Sequence, residues 1–399
     1  MRIGYILDLF PSLVQTFILS ELLELERLGF RIHIYSLQSP SSEIIHKDRR
    51  RLKADVSYLP SFRRGFLAYL GRNLVVFLGA PCLYLANLIF ALRQRRKIAL
   101  QSFFRAVYLT RLVEAHNLQH LHAHFALGTN VVAMFISRFL GLPYSFTTHA
   151  TDLFTKPVLL CETGREARFL VTISQYNKGY ILNRCQGQGL DSKLFVVHCG
   201  IDTAKFSPAE RKGEAEVPLI LSVGRLVEKK GHIYLVKALG LLRARGQPFR
   251  CLIVGEGPQR GELERAIKEE GLEGLVSLTG TRAQEEVRDL YAQADIFVLP
   301  CVVARDGDKD GIPVSLMEAM AMGLAVVSTP LSGIPELVED GENGLLVKPE
   351  DLEALSCALA RIMQNPRSLH FLGQKACLKA RRDFSIKESA QKLACLFRA

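Results

Sequence analysis

Residues 218–257 read PLILSVGRLVEKKGHIYLVKALGLLRARGQPFRCLIVGEG. PLILSVGRL is an apolar, β-branched run that predicts a buried strand. GHIYLVKALGLLRARG repeats apolar residues at helical spacing, and FRCLIVGEG is a second apolar run. Strand, helix and strand in close succession make a βαβ unit, which implies parallel pairing. The alternation continues through QRGELERAIKEEG (helix), VSLTG (strand), AQEEVRDLYAQA (helix), DIFVLPC (strand), SLMEAMAMG (helix) and AVVSTP (strand). That is the pattern of a doubly wound α/β sheet.

An earlier series has the same grammar. RIGYILDLF, TFILSELLELERLG and FRIHIYSL form a βαβ unit at the start of the chain. LQHLHAHF, YSFTTHA, FLVTIS and LFVVHCGI add further strands. The polar, Pro-flanked FSPAERKGEAEVP (206–218) predicts a linker. SIKESAQKLACLFRA predicts an amphipathic closing helix. The expected organisation is two Rossmann-like domains, 1–206 and 207–383, with the helix 384–399 returning to the first. MRIGYILDLFPSL is too short an apolar run for a signal peptide and reads as the first strand.

The chain's 399 residues are enough for two cores, and 48% hydrophobic with 23% charged residues is a globular composition. The net charge of +11 is unevenly placed. Residues 1–205 carry 25 Lys and Arg against 13 Asp and Glu, so the remainder is close to neutral. Fourteen basic residues fall within 47–112. Such a surface favours an anionic partner. Nucleic acid is not expected, because Trp is absent and there is no RNP, zinc-finger or helix-turn-helix signal. The nine cysteines are odd in number, scattered and without a CxxC pair, which predicts reduced thiols rather than a disulfide framework or a zinc site.

Residues 65–92, GFLAYLGRNLVVFLGAPCLYLANLIFAL, approach the length and apolarity of a membrane span, yet Arg72, Asn73, Pro81 and Asn87 interrupt them. Arg63 and Arg64 precede the segment; Arg93, Arg95, Arg96 and Lys97 follow it. An interfacial pair of helices fits best; a buried pair and a span are the alternatives.

DGDKDGIPVSLMEAMAMG (306–323) carries the chemistry. Asp306, Asp308, Asp310 and Gly311 match the opening of a calcium loop, but the twelfth position, which needs a bidentate Glu, is Met317. Read differently, DIFVLP ends a parallel strand, where such sheets bind ligands. GIPVS then offers backbone N–H groups at a helix start, suited to a diphosphate. Glu318, within about the first turn, can accept from the two hydroxyls of a ribose, and Asp310 from a sugar hydroxyl. The plainer reading is a solvated, helix-capping acidic turn.

DGIPVSLMEAMAMGLAVVSTPLSGIPELVEDGENGLLV resembles the signature of the retaining group-one glycosyltransferases of GT-B architecture, with its two acidic residues eight positions apart. Their first acidic residue is usually Glu; here it is Asp310. SVGRLVEKKGH is the second match. The resemblance implies that Arg225 and Lys230 grip the nucleotide diphosphate, whose charge grows as the glycosidic bond breaks. Lys229 is expected to point away. IVGEGP brings Gly255 to the nucleotide, and Thr281 and Arg282 of LTGTRAQEEV are candidates near the base. Gly311, Ile312, Val314 and Ser315 complete the donor set with Asp310 and Glu318. In the first domain FTTHATDLF is similar to the segment whose His faces the donor sugar, which makes His149 a catalytic candidate beside Asp310, Arg225 and Lys230. His124 of HLHAHF ranks below it. Ser174 and Asn177 are expected to cap a helix. The loop LDLFPSLVQTF looks most like that of exopolysaccharide-assembly members, with Val14 and Gln15 where these usually have Ser and an acidic residue.

The resemblance implies two Rossmann-like domains facing a cleft, a nucleoside-diphosphate sugar on the second and the acceptor on the first. The implied reaction is metal-free, cofactor-free transfer to a glycan hydroxyl with retention. The basic, apolar first domain adds a lipid-linked acceptor and an anionic membrane surface as partners, with the chain cytoplasmic and peripheral on the inner face of the membrane. The rival is a catalytically silent nucleotide-sugar-binding subunit of a polysaccharide assembly.

Overall fold

The computed structural model describes residues 1–12, 15–40, 50–208 and 217–399; Val14 and the linker residues 209–216 lie outside them. The chain divides into two compact units, Met1–His198 with Ser389–Ala399, and Cys199–Glu388. The sequence reading set the boundaries at 206/207 and 383/384. Cys199–Phe206 joins the second unit because Ile201 pairs with Ser385 and Phe206 is buried in that unit's core.

The first unit holds β1 (Arg2–Leu9), β2 (Arg31–Gln38), β3 (Asp55–Tyr58), β4 (His120–His124), β5 (Tyr144–Thr148), β6 (Phe169–Thr172) and β7 (Leu194–Val196). The second holds β8 (Leu219–Val223), β9 (Arg250–Val254), β10 (Val276–Gly280), β11 (Ile296–Leu299), β12 (Ala325–Ser328) and β13 (Leu345–Leu346). All pair in parallel, in the orders β3-β2-β1-β4-β5-β6-β7 and β10-β9-β8-β11-β12-β13. Each is therefore the doubly wound, Rossmann-like unit that the alternation predicts. The short β3 and β13 were not anticipated, since four and two residues are too few to show a period. Both sheets change their direction of growth once, between β1 and β4 and between β8 and β11. Ligands of such sheets sit beyond the strand ends at that point.

β4, β5 and β6 of the first sheet and β11 and β12 of the second are buried along their whole length, as in a sheet covered on both faces. In the first unit the helix Ile386–Arg398 contributes Ala390, Leu393, Ala394 and Phe397 to a core with Ile3, Tyr5 and Phe169. His120 and His122, side by side on one face of β4, pack against Phe397 and bond Ser145 and Thr147 of β5. Both are core residues; His122 has both ring nitrogens bonded, whereas among the described residues His120 bonds only through Nε2.

Residues 65–92 form two helices, Phe66–Gly79 and Pro81–Arg93, and no described helix is long and apolar enough to cross a membrane. Their polarity is reversed. Tyr84 Oη donates to Asn73 Oδ1 at 3.0 Å, Asn87 Oδ1 accepts from Arg138, and Arg72 bonds the Tyr108 carbonyl, all on the side facing the protein. Phe66, Leu67, Leu70, Leu74, Leu78 and Ile89 are exposed, Leu67 to 79%. The buried-pair alternative is thereby overturned. Cys161 and Cys185 form a disulfide, against the expectation of reduced thiols; the other seven cysteines are free. The helix Leu160–Glu166 brings Cys161 to the end of the helix Gln175–Arg184, a proximity that spacing does not show.

Candidate active site

In the second unit, β8 ends at Val223 and is followed by Gly224, Arg225 and a 3-10 turn, Glu228–Lys230. The turn is locked to the loop after β11. Val302 N–H donates to the Lys229 carbonyl at 3.0 Å. Gly231, at φ +70°, passes so close to Pro300 that a Cβ would lie 1.9 Å from its carbonyl oxygen. Only glycine tolerates both conditions. Thr329 Oγ1, just past β12, donates to the Cys301 carbonyl and holds the same loop from the other side.

This arrangement gathers charge. Lys230 Nζ is 2.7 Å from Asp310 Oδ2. Lys229 Nζ is 2.9 Å from Asp308 and 3.6 Å from Asp310. Lys229 thus faces the acidic cluster, contrary to the expectation that it points away; residues of a 3-10 turn, unlike those of a strand, do not alternate between opposite faces. Burial lowers the Lys230 ammonium, but the charge of Asp310, the Cys301 thiol and the hydrogen bond to Asp310 together outweigh it and raise the group above its ordinary value. Burial raises Asp310, but Lys230 and Lys229, with hydrogen bonds from Lys230 and Cys301, outweigh it and hold the carboxyl below the ordinary range. Both groups are therefore charged at neutral pH. Arg225 is exposed, and its charge is felt at Lys230. His232 is fully buried behind the pair, held neutral by burial and by Lys230, and among the described residues its ring nitrogens have no hydrogen-bond partner.

The acidic loop leads through the buried Gly311, Ile312 and Pro313 into the helix Val314–Ala321. Pro313 caps it without a side-chain bond, so the N–H groups of Val314 and Ser315 open the helix with no intrahelical acceptor. Glu318 is its fifth residue, just past the first turn, as the sequence suggested. It is 9% exposed and accepts from Tyr291 Oη at 3.1 Å. Burial pushes its carboxyl up to about 7, opposed by the Tyr291 bond, the charge of Lys205 and a bond from Gln284. Lys205 in turn donates to Gln284 Oε1 at 2.6 Å. Tyr291, Gln284 and Lys205 were not read from the sequence, because they come from two separate segments that only the fold joins.

Gly255 directly follows β9 at φ +145°, where a Cβ would lie 1.9 Å from the Gly224 carbonyl oxygen. It belongs to the same strand-end cluster. Thr281 and Arg282 are exposed, and Arg282 pairs at 3.6 Å with Glu286 of the helix Gln284–Gln293 that follows it. Among the described contacts, neither joins Lys230 or Glu318.

In the first unit, His149 follows β5 directly and is 6% exposed. Its Nε2 lies 3.0 Å from His124 Nδ1, and His124 Nε2 lies 3.1 Å from Glu21 Oε1. The buried Asp152 accepts from the backbone N–H groups of His149 and Ala126, tying together the loops after β4 and β5. Ser174 caps the helix Gln175–Arg184 by accepting from Asn177 N–H at 3.0 Å. Asn177 does more than cap, because its Nδ2 donates to the His149 carbonyl at 3.3 Å.

Residues 217–365 match the family Glycosyl transferases group 1, and residues 14–205 match Glycosyltransferase Family 4. A protein named for colanic acid biosynthesis, glycosyltransferase WcaL of Escherichia coli (strain K12), is 32% identical over 100% of both chains. The chain belongs to the group 1 glycosyltransferases. Amylovoran biosynthesis glycosyltransferase AmsK of Erwinia amylovora is 44% identical over 43% of this glycosyltransferase and 42% of its own length. Among solved structures, a glycosyltransferase from Rickettsia africae superposes with a TM-score of 0.75 at 16% identity, covering 100% of this chain and 97% of that one. Anabaena Alr3699/HepE in complex with UDP and glucose does so with a TM-score of 0.73 at 18% identity over 99% of each chain. These neighbours give the group 1 glycosyltransferase a GT-B fold.

Proposed function

We propose that this glycosyltransferase moves a sugar from a nucleoside diphosphate to a hydroxyl of a lipid-linked glycan in exopolysaccharide synthesis, with retention at the anomeric carbon. The observation that carries the reading is the charged pair Lys230–Asp310 at the ends of β8 and β11, beside Arg225 and the open helix start at Val314. In this reading Arg225, Lys230 and the helix N–H groups take up the diphosphate charge without a metal. Asp310 accepts from a sugar hydroxyl and Glu318 from the ribose. His149 bonds a hydroxyl of the donor sugar and supports the developing oxocarbenium ion. The bond from C1 to the phosphate oxygen breaks as the bond to the acceptor oxygen forms on the same face. The acceptor proton passes to the leaving phosphate, so no protein nucleophile is required. The relatives named for colanic acid and amylovoran synthesis support the assignment to exopolysaccharide.

The reversed helix pair supports a peripheral seat on an anionic membrane. Its exposed leucines lie between Arg63 and Arg64 on one side and the exposed Arg93, Arg95, Arg96 and Lys97 on the other. Mass spectrometry after incubation with a panel of nucleotide sugars and a lipid extract tests the function. A glycosylated lipid made by the wild type and not by Glu318→Ala is expected; equal product from both would remove Glu318, and with it this donor site.

A further inference from the structure

The first unit carries a chain of polar contacts that donor binding alone does not require. Tyr5 Oη donates to Glu21 Oε1 at 2.9 Å. The same oxygen is 3.1 Å from His124 Nε2, and His124 Nδ1 is 3.0 Å from His149 Nε2. The rings of His124 and His149 are stacked, with centroids 5.3 Å apart. Glu21 comes from the helix Thr16–Arg27, His124 ends β4 and His149 follows the neighbouring β5, so three separate segments converge beside the sheet's switch point.

Glu21, His122 and His124 place ligand atoms within 4.8 Å of one another, which raises a metal site as the first alternative. The hydrogen bonds argue otherwise. His122 uses both ring nitrogens on Ser145 and Thr147, and His124 uses both on Glu21 and His149. A cation would have to break two of these bonds.

Donor and acceptor roles along the chain are forced from one end. An ionised carboxylate only accepts, so His124 Nε2 must carry the proton. In neutral His124 the Nδ1 is then the lone-pair nitrogen, and it accepts from His149 Nε2–H. Neutral His149 consequently carries its own lone pair on Nδ1. Burial first, then the neighbouring His124, lowers the His149 imidazolium well below the ordinary range, which agrees with the neutral form.

We propose that Glu21 is a positioning residue that fixes, through His124, the tautomer of His149, so that His149 meets the donor sugar as a hydrogen-bond acceptor. The ligand group it selects is a sugar hydroxyl acting as donor. This rests on the transferase reading above. Glu21→Gln reverses the instruction, since the amide N–H₂ can donate to His124 Nε2, which moves the proton to His124 Nδ1 and then to His149 Nδ1.

Ring ¹⁵N NMR of the full chain, with His124→Gln and His149→Gln used for assignment, reads the protons directly. In the wild type His149 Nε2 is expected to be protonated and Nδ1 bare; a protonated Nδ1 overturns the proposal without any variant. In Glu21→Gln the pattern is expected to invert or mix, with kcat/KM for the donor down about tenfold, the scale of one reversed hydrogen bond. Glu21→Asp, which can still accept, is expected to keep the wild-type tautomer. Unchanged tautomer and unchanged turnover in Glu21→Gln would sink the relay while leaving the transferase intact. A wild type that transfers no sugar would sink the transferase reading, and the NMR result would still stand by itself.

Discussion

Lys230 and Asp310 form a buried ion pair, with Nζ 2.7 Å from Oδ2, and Cys301 Sγ donates to the same carboxylate oxygen at 3.5 Å. Neither charge can be removed singly without leaving the other in a poorly solvated place. Lys230→Ala should lower turnover by about 10²–10³, the scale of one lost donor at developing negative charge. It should also destabilise the fold by about 3–5 kcal/mol. The double variant Lys230→Met, Asp310→Leu should be equally inactive yet more stable than either single change. Thermal unfolding and single-turnover assays check this; additive losses in stability would show that the pair is not coupled.

Lys229 holds Asp308 at 2.9 Å and backs up Asp310 at 3.6 Å. Lys229→Ala should therefore release the acidic loop while keeping Lys230 in place. Donor KM should rise several-fold with kcat reduced less, whereas Lys230→Ala should lower kcat most. The kinetic contrast between the two neighbours is the measurement.

Glu318 should give nucleotide binding a pH dependence near neutrality. Burial raises its folded value from 4.5 to about 7, so under the proposed role ribose hydroxyls would meet a full acceptor only once the proton has left. Affinity for the nucleoside diphosphate should increase from pH 6 to pH 8, with proton release on binding, and Glu318→Gln should abolish the trend. Calorimetry in two buffers of different ionisation enthalpy reads both effects. Stability runs the other way. Below pH 4.5 the group is protonated in both states and has no effect; from there to about pH 7 its contribution to stability falls, reaching a loss of about 3 kcal/mol.

Tyr291 Oη is fully committed within the second unit, donating to Glu318 and lying 3.1 Å from the Ser315 carbonyl. Tyr291→Phe should cost about 1–3 kcal/mol of stability. It should also move the pH midpoint of nucleotide binding upward, because a bond that favours the ionised form of Glu318 is lost. An unchanged midpoint would mean that Tyr291 only fills space.

The reversed helix pair predicts sedimentation with vesicles rich in anionic lipid and little with neutral vesicles. Neutralising Arg93, Arg95, Arg96 and Lys97 should remove most binding, at about 1 kcal/mol per basic residue near such a surface. Replacing Leu67, Leu70 and Leu78 by Ser should weaken binding to both vesicle types while leaving transfer to a water-soluble acceptor in place. Binding indifferent to both sets would locate the membrane contact elsewhere.

The sequence was most legible where the chemistry is local. The strands β8 to β12 announce themselves through period, whereas the acidic pair Asp310 and Glu318 and the cations Arg225 and Lys230 stand out through short stretches that resemble a family's motifs; the fold brings Lys230 and Asp310 into contact. What escaped depends on which side of a turn faces what. Lys229 looked like a bystander because a 3-10 turn has too few residues to reveal a face. Tyr291 and Glu21 carry no local signal; Tyr291 matters because Glu318 of a different helix arrives beside it, and Glu21 because His124 at the end of β4 does. The 65–92 segment was ambiguous for a different reason. Its polar residues interrupt an apolar run in sequence, and only the packed helices reveal that they turn inward while the leucines turn out.

The return of the last helix has a practical corollary for building hybrids of these enzymes. Because Ser389–Ala399 belongs with Met1–His198, exchanging the second unit between two parents takes two splice points, near 198/199 and 388/389. A hybrid with one crossover would import Phe397 from the wrong parent and press a foreign ring against His120, His122 and Phe169.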